Sequence, residues 1–172
     1  TENNHQLTPL DIACLEGNVN IVQLIFTYQN GINIQNHKLI NYACQNGHIN
    51  VIEFLLKKNA PINNPTNIYL ATPLHYACQE GHYDTTALLL RSKANPNAAS
   101  YTGATPLHLA CLGGHLNIVD LLLKNNALIN SPLIDGSTPL HVAAATGNVA
   151  MCKVLLTSGA ADINAKTIHG IT

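Results

Sequence analysis

TPLHLACLGGH, residues Thr105–His115, recurs along this chain. Thr72–His82 reads TPLHYACQEGH, Thr138–Asn148 reads TPLHVAAATGN and Thr8–Asn18 reads TPLDIACLEGN. A worn copy at Lys38–His48 reads KLINYACQNGH. The glycine that closes the block falls at Gly17, Gly47, Gly81, Gly114 and Gly147, so the steps are 30, 34, 33 and 33 residues. A block that returns in fixed register is one structural unit used repeatedly, and units of this size stack into an array with a continuous core.

Within one copy the residues predict two helices. Thr105 is placed to cap a helix whose first position is Pro106, where no N–H is missed. Leu107, Ala110 and Cys111 fall at i, i+3 and i+4 and make one apolar stripe. Gly114 supplies the left-handed residue that ends this short helix. A second helix follows with Ile118, Val119, Leu122 and Leu123 at the same spacing, closed by Asn125-Asn126-Ala127. From Asn130 an extended turn runs through Ile134-Asp135-Gly136-Ser137 to the next threonine. Helices this short are marginal alone, so each stripe has to be buried by stacking on a neighbouring copy.

A T-P-L-H-x-A core at a period of about 33 residues resembles the ankyrin repeat. The resemblance covers essentially the whole chain, residues 1–172, as one array with repeats at about 8–37, 38–71, 72–104, 105–137 and 138–171. It implies an all-α solenoid of helix-turn-helix pairs with projecting β-hairpin loops. It further implies that the chain binds a partner protein or peptide on a concave face built from the hairpin tips and the first helices.

The copies are not identical. Asn33 to Ile40 spans seven residues where Asn130 to Leu140 spans ten, so the loop near His37 is three residues short and is expected to perturb the local stacking. Repeat 2 has Lys38-Leu39 in place of Thr-Pro and Asn41 in place of the histidine, and repeat 5 carries one extra residue near Ala160-Ala161. The chain opens in mid-repeat, and His169-Gly170-Ile171-Thr172 matches Asp135-Gly136-Ser137-Thr138. The expectation is a fragment of a longer protein with more repeats or other domains.

Composition excludes several roles. Charged residues are 10% of the chain, the net charge is −1, and no basic run exceeds Lys57-Lys58. Nucleic-acid binding needs clustered cations to displace counterions, and an anionic membrane surface needs the same. No apolar stretch approaches the ~20 residues of a membrane helix, and no signal-peptide pattern opens the chain. Aromatic residues are 5%, so small and aliphatic side chains have to fill the core.

Five cysteines and nine histidines could suggest a metal site. Cys14, Cys44, Cys78 and Cys111 each follow the repeat's alanine, one structural position in four copies. Neighbouring copies would lie about 10 Å apart, and disulfide Cα atoms must lie within ~7 Å. These thiols therefore read as small buried hydrophobes of a reducing, cytoplasmic protein. His75, His108 and His141 share one position, and His48, His82 and His115 share another at the helix–helix turn. The family resemblance makes the first set structural, bonded between the threonines and the neighbouring hairpin. Neither H-E-x-x-H nor C-x-x-C occurs, and G-x-S-x-G, P-loop and G-x-G-x-x-G motifs are missing. The sequence therefore predicts no metal, no cofactor and no enzyme activity in this segment.

What remains is surface. The variable tips and first-helix ends nominate Ile68, Tyr69, Gln79, Glu80, Tyr101, Thr102, Leu112, Ile134 and Asp135 as the partner-binding set. Tyr69 and Tyr101 are expected at equivalent positions of adjacent hairpins, and amphipathic aromatics are favoured at binding hot spots. A monomeric array is expected. A second reading makes the array the targeting or regulatory arm of a larger enzyme, channel or microbial effector, with the activity outside this segment. Asn97 and Asn130, each in a hairpin, also resemble the acceptors for asparagine hydroxylation in ankyrin domains.

Overall fold

The computed structural model describes residues 7–29, 31–35, 38–65 and 69–171. Ten α-helices occur among them in five consecutive pairs: α1 (Pro9–Leu15) and α2 (Val19–Tyr28), α3 (Leu39–Gln45) and α4 (Ile49–Lys57), α5 (Pro73–Gln79) and α6 (Tyr83–Arg91), α7 (Pro106–Gly113) and α8 (Leu116–Lys124), α9 (Pro139–Ala145) and α10 (Val149–Thr157). No described residue lies in a β-strand.

The helices start where the sequence places their caps. Thr8, Thr72, Thr105 and Thr138 stand in extended backbone ahead of a proline, and each closes a reciprocal capping box with the residue three positions on. That residue is Asp11 for Thr8 and a histidine for the other three. Lys38 makes no side-chain cap bond at α3. The second helices begin in two ways: Asn18 and Asn148 accept from the N–H groups of Ile21 and Met151, while His48, His82 and His115 leave that bond unmade.

Stacking follows from side-chain size. Each first helix packs on the next first helix, each second helix on the next second helix, and each pair on itself. The first helices make the denser contacts. Beside Leu10, Ile40, Leu74 and Leu107 they bury a pair of small residues each: Ala13 and Cys14, Ala43 and Cys44, Ala77 and Cys78, Ala110 and Cys111. Small side chains let helix axes approach toward the short end of the usual 8–10 Å range. The second helices bury Leu55, Leu89, Leu122 and Leu155 at one recurring position, and these longer side chains hold that layer further apart. Full burial of one such leucine contributes about 1.5–3 kcal/mol, so this seam is a main source of cohesion between copies.

The short loop near His37 does not pull the first two pairs apart. His37 itself lies outside the described residues, yet α1 packs on α3 as closely as α3 packs on α5, which corrects the expectation of perturbed stacking. The chain's two phenylalanines, Phe26 and Phe54, meet edge-to-face between α2 and α4 with ring centres 5.2 Å apart, an attraction specific to this junction.

The loops between pairs close as tight turns. In the turn ahead of α7 the Ser100 N–H donates to the Ala104 carbonyl at 2.8 Å, and the Gly103 N–H donates to the Ser100 carbonyl at 2.9 Å. The same pair of bonds recurs at Leu133–Ser137 and Thr167–Ile171. Gly103 needs its freedom twice over: its φ is +81°, and a Cβ would lie 3.2 Å from the Leu133 Cα of the next turn.

Candidate functional site

The exposed surface is held by four sets of bonds between neighbouring copies. In the first, the Thr72 N–H donates to His75 Nδ1 at 3.0 Å. Nδ1 is therefore an acceptor, the proton sits on Nε2, and Nε2 donates to the Ala104 carbonyl of the next turn at 3.0 Å. His108 repeats this with Thr105 and Ser137, and His141 with Thr138 and Ile171, through bonds of 3.2 to 3.4 Å. These rings join a threonine to the neighbouring turn, the structural role that the resemblance implied for them. Burial holds His75 and His108 below the ordinary histidine range, against the pull of their carbonyl bonds.

The second set points the other way along the array. Nε2 of His48, His82 and His115 donates to the carbonyls of Leu15, Gln45 and Gln79, at 2.8, 2.9 and 2.9 Å. Those residues end α1, α3 and α5, where helix carbonyls lack an internal partner. Each ring lies over the glycine that closes the preceding copy: at Gly47, φ +71°, a Cβ would sit 2.8 Å from His82 Nδ1.

The third set is a ladder of asparagines. Asn63, Asn97 and Asn130 donate through Nδ2 to the carbonyls of Lys93, Asn126 and Ala160 at 3.1, 3.0 and 2.7 Å. Their Oδ1 atoms accept the N–H groups of Asn95, Leu128 and Asp162 at 2.7, 2.7 and 2.9 Å. Asn97 and Asn130, singled out in the sequence, thus each join two copies.

The fourth set links the turn tips directly. The N–H groups of Tyr101, Ile134 and Ile168 donate to the carbonyls of Tyr69, Thr102 and Asp135 at 2.8, 3.0 and 2.8 Å. This register corrects the expectation that Tyr69 and Tyr101 are equivalent. Tyr69 corresponds to Thr102 and Asp135, and Tyr101 to Ile134 and Ile168. The cause is the residue that closes each turn in left-handed backbone: Gly103, Gly136 and Gly170 in three turns, and Leu70, at φ +56°, in the turn ahead of α5.

On this frame the sequence-nominated side chains stand outward. Tyr69 is 65% exposed, Tyr101 67%, Ile134 69% and Leu112 58%. Gln79, Glu80, Thr102 and Asp135 are also exposed. Gln79 Nε2 donates to Glu80 Oε1 at 3.2 Å, and Asp135 accepts the Ser137 N–H at 2.9 Å, which holds its carboxyl below the usual range. Ile68 lies outside the described residues.

One row escaped the sequence reading. The variable residue of T-P-L-H-x-A is Ile12, Tyr42, Tyr76, Leu109 and Val142 in successive copies, and every one keeps part of its surface exposed. Each lies three residues before Leu15, Gln45, Gln79, Leu112 or Ala145 and so shares their helix face. Burial first, then Asp11 for Tyr42 and Tyr42 for Tyr76, push the two phenols up. The signal was available as a variable position inside a constant motif. At the fifth copy, Val142 and Ala145 share a cleft of about 560 Å³ with Leu133 and Asp135 of the turn, so turns and first helices form one surface.

The thiols face the other way, into the core. Cys14, Cys44, Cys78 and Cys111 are fully buried and free, and Cys152 is half-buried. Burial pushes Cys14, Cys78 and Cys111 up to about 12 and Cys44 higher still. They carry protons at neutral pH, when nucleophiles and metal ligands need thiolates. Among the described residues no group of three or more His, Cys, Asp or Glu is placed to hold a metal ion, and no helix is long and apolar enough to cross a membrane.

Two family models match the chain: one described as ankyrin repeats in three copies, over residues 33–100 and 88–167, and one described as the ankyrin repeat, over residues 5–38. A search of curated proteins found no match.

Proposed function

This chain belongs to the ankyrin repeat family, and from that premise we propose that it is a rigid platform that binds a protein or peptide partner on the face made by its turn tips and first helices. Ankyrin repeats are in general protein–protein interaction modules, and proteins built from them are typically non-catalytic binding modules. The observation that carries the reading is the exposure of Tyr69, Tyr101 and Ile134 on turns whose backbones are tied to one another. Large apolar side chains fixed on an ordered backbone offer contact area with little entropy left to lose.

The denser packing of the first helices supports placing the turns and first helices on the inside of the curve. The partner then meets Tyr69, Gln79, Glu80, Tyr101, Thr102, Leu112, Ile134 and Asp135, with Ile68 added from the sequence. Tyr42, Tyr76 and Leu109 floor the same face. Buried, protonated thiols suit a reducing cytoplasm, where we place the protein as a monomeric array.

The test uses a partner captured on immobilised wild-type protein and titrated against Tyr69→Ala/Tyr101→Ala, after checking that the melt is unchanged. Truncating a central hot-spot tyrosine costs about 2 kcal/mol, so affinity should fall roughly 30-fold or more. Retention within about twofold would falsify the reading and move the search to the second-helix face around Arg91, Lys93 and Lys124.

A further inference from the structure

Leu70 stands where three sister turns have glycine. Its φ is +56°, against +81°, +83° and +74° at Gly103, Gly136 and Gly170. A residue with a Cβ is strained in that backbone, and a branched, bulky one more than most. Burial does not compensate: Leu70 is 44% exposed, next to Tyr69. Strain that the fold does not require is a pointer to a role outside the fold. The surroundings name a place for that role. Tyr101 is bonded to Tyr69 through its backbone, and Tyr76 is half-buried on α5, the helix that follows this turn.

Charge narrows what can sit there. The first helices and their C-terminal caps carry Asp11, Glu16 and Glu80, the turn tips carry Asp135, and neither carries a lysine or arginine among the described residues. On this side Lys38 lies at the root of α3, and Lys166 just before the last turn. The other cations are gathered elsewhere. Lys57, Lys58, Arg91, Lys93 and Lys124 lie at the ends of the second helices, where they favour the helix dipole, and Lys153 is on α10. Along this face four acids therefore stand against two lysines, with Glu80 in the copy of Tyr76, and such a face is complementary to apolar residues interleaved with cations.

We propose that the surface around Tyr69, Leu70, Tyr76 and Tyr101 seats a cationic, apolar peptide segment, with Leu70 as an anchor retained at a glycine position for contact with it. This rests on the platform reading above and adds to it the partner's chemistry and the residue that binds it. Because Glu16, Glu80 and Asp135 are exposed, added salt weakens the complex without abolishing it.

The experiment is selection of a random displayed peptide library on the immobilised whole chain. Enriched sequences should combine Lys or Arg with Leu or aromatic residues. Enrichment of acidic or uncharged sequences overturns the proposed chemistry while leaving the platform reading intact. Failure to enrich any peptide also overturns it, and the captured-partner titration then decides the platform reading independently. An enriched peptide is next titrated against Leu70→Gly and Leu70→Ala. Both should lose about tenfold or more in affinity. Leu70→Gly should melt no lower than wild type and about 2 °C or more above Leu70→Ala, which keeps the strain but not the side chain. Binding to Leu70→Gly within about twofold of wild type removes Leu70 as the anchor and refutes the proposal.

Discussion

Replacing His75 with alanine tests the bonds that hold one copy to the next. The ring, 1% exposed, accepts the Thr72 N–H at 3.0 Å and donates to the Ala104 carbonyl at 3.0 Å, with the Thr72 hydroxyl 2.8 Å from Nδ1. Without it, the N–H of buried Thr72 loses its partner, and the Ala104 carbonyl keeps only its bond from the Ser100 N–H. An orphaned buried polar group costs about 1–3 kcal/mol. Ala104 is only half-buried, so water makes up part of its loss. The expected total, with the small cavity included, is about 3 kcal/mol, or a Tm drop of roughly 6–12 °C in a chain of this size.

The same ring links stability to pH. Because burial lowers the folded-state pKa values of His75 and His108, the unfolded chain takes up the protons first as pH falls. Their contribution is fully present above about pH 6.5 and is lost as pH falls below that toward the folded-state values, at up to about 1.4 kcal/mol per pH unit for each proton. His75→Ala should lower the neutral plateau and also remove one share of that slope. Urea unfolding at pH 7.5, 6.5 and 5.5 measures both. A plateau loss under about 1 kcal/mol, or an unchanged acid slope, refutes the bonding argument.

Two further outcomes follow from the packing. Because α3 lacks a side-chain cap and has Asn41 at the histidine position, hydrogen exchange should show residues 8–50 opening more readily than residues 105–150; equal or greater protection at the N-terminal end counts against this. Thiol labelling of native protein at pH 8 should modify half-buried Cys152 first, and Cys14, Cys44, Cys78 and Cys111 only as the array opens, with Tm unaffected by chelator or reductant; prompt labelling of all five, or a chelator-induced drop of many degrees, would contradict the core assignment.

The sequence by itself determined whatever is decided within one copy. Thr-Pro starts a helix wherever it occurs, i, i+3, i+4 spacing makes a stripe, and Gly114 or Gly147 ends a turn, because capping, periodicity and left-handed backbone act over a few residues. The buried cysteines were legible for the same reason, since four copies placed them on one stripe.

Only the tertiary structure decided what passes between copies. Two histidine sets of one residue type bond in opposite directions, His75 forward to Ala104 and His82 back to Gln45, and local spacing carries no sign for direction. The tip register needed it too. Counting 33 residues back from Gly103 lands on Leu70, but a leucine does not advertise left-handed backbone, so Tyr69 and Tyr101 were aligned one position out of step. The row of Tyr42, Tyr76 and Leu109 passed unremarked within the motif. It becomes a surface only when the stacking of α3, α5 and α7 sets those positions side by side, through contacts between residues about one repeat apart in the chain.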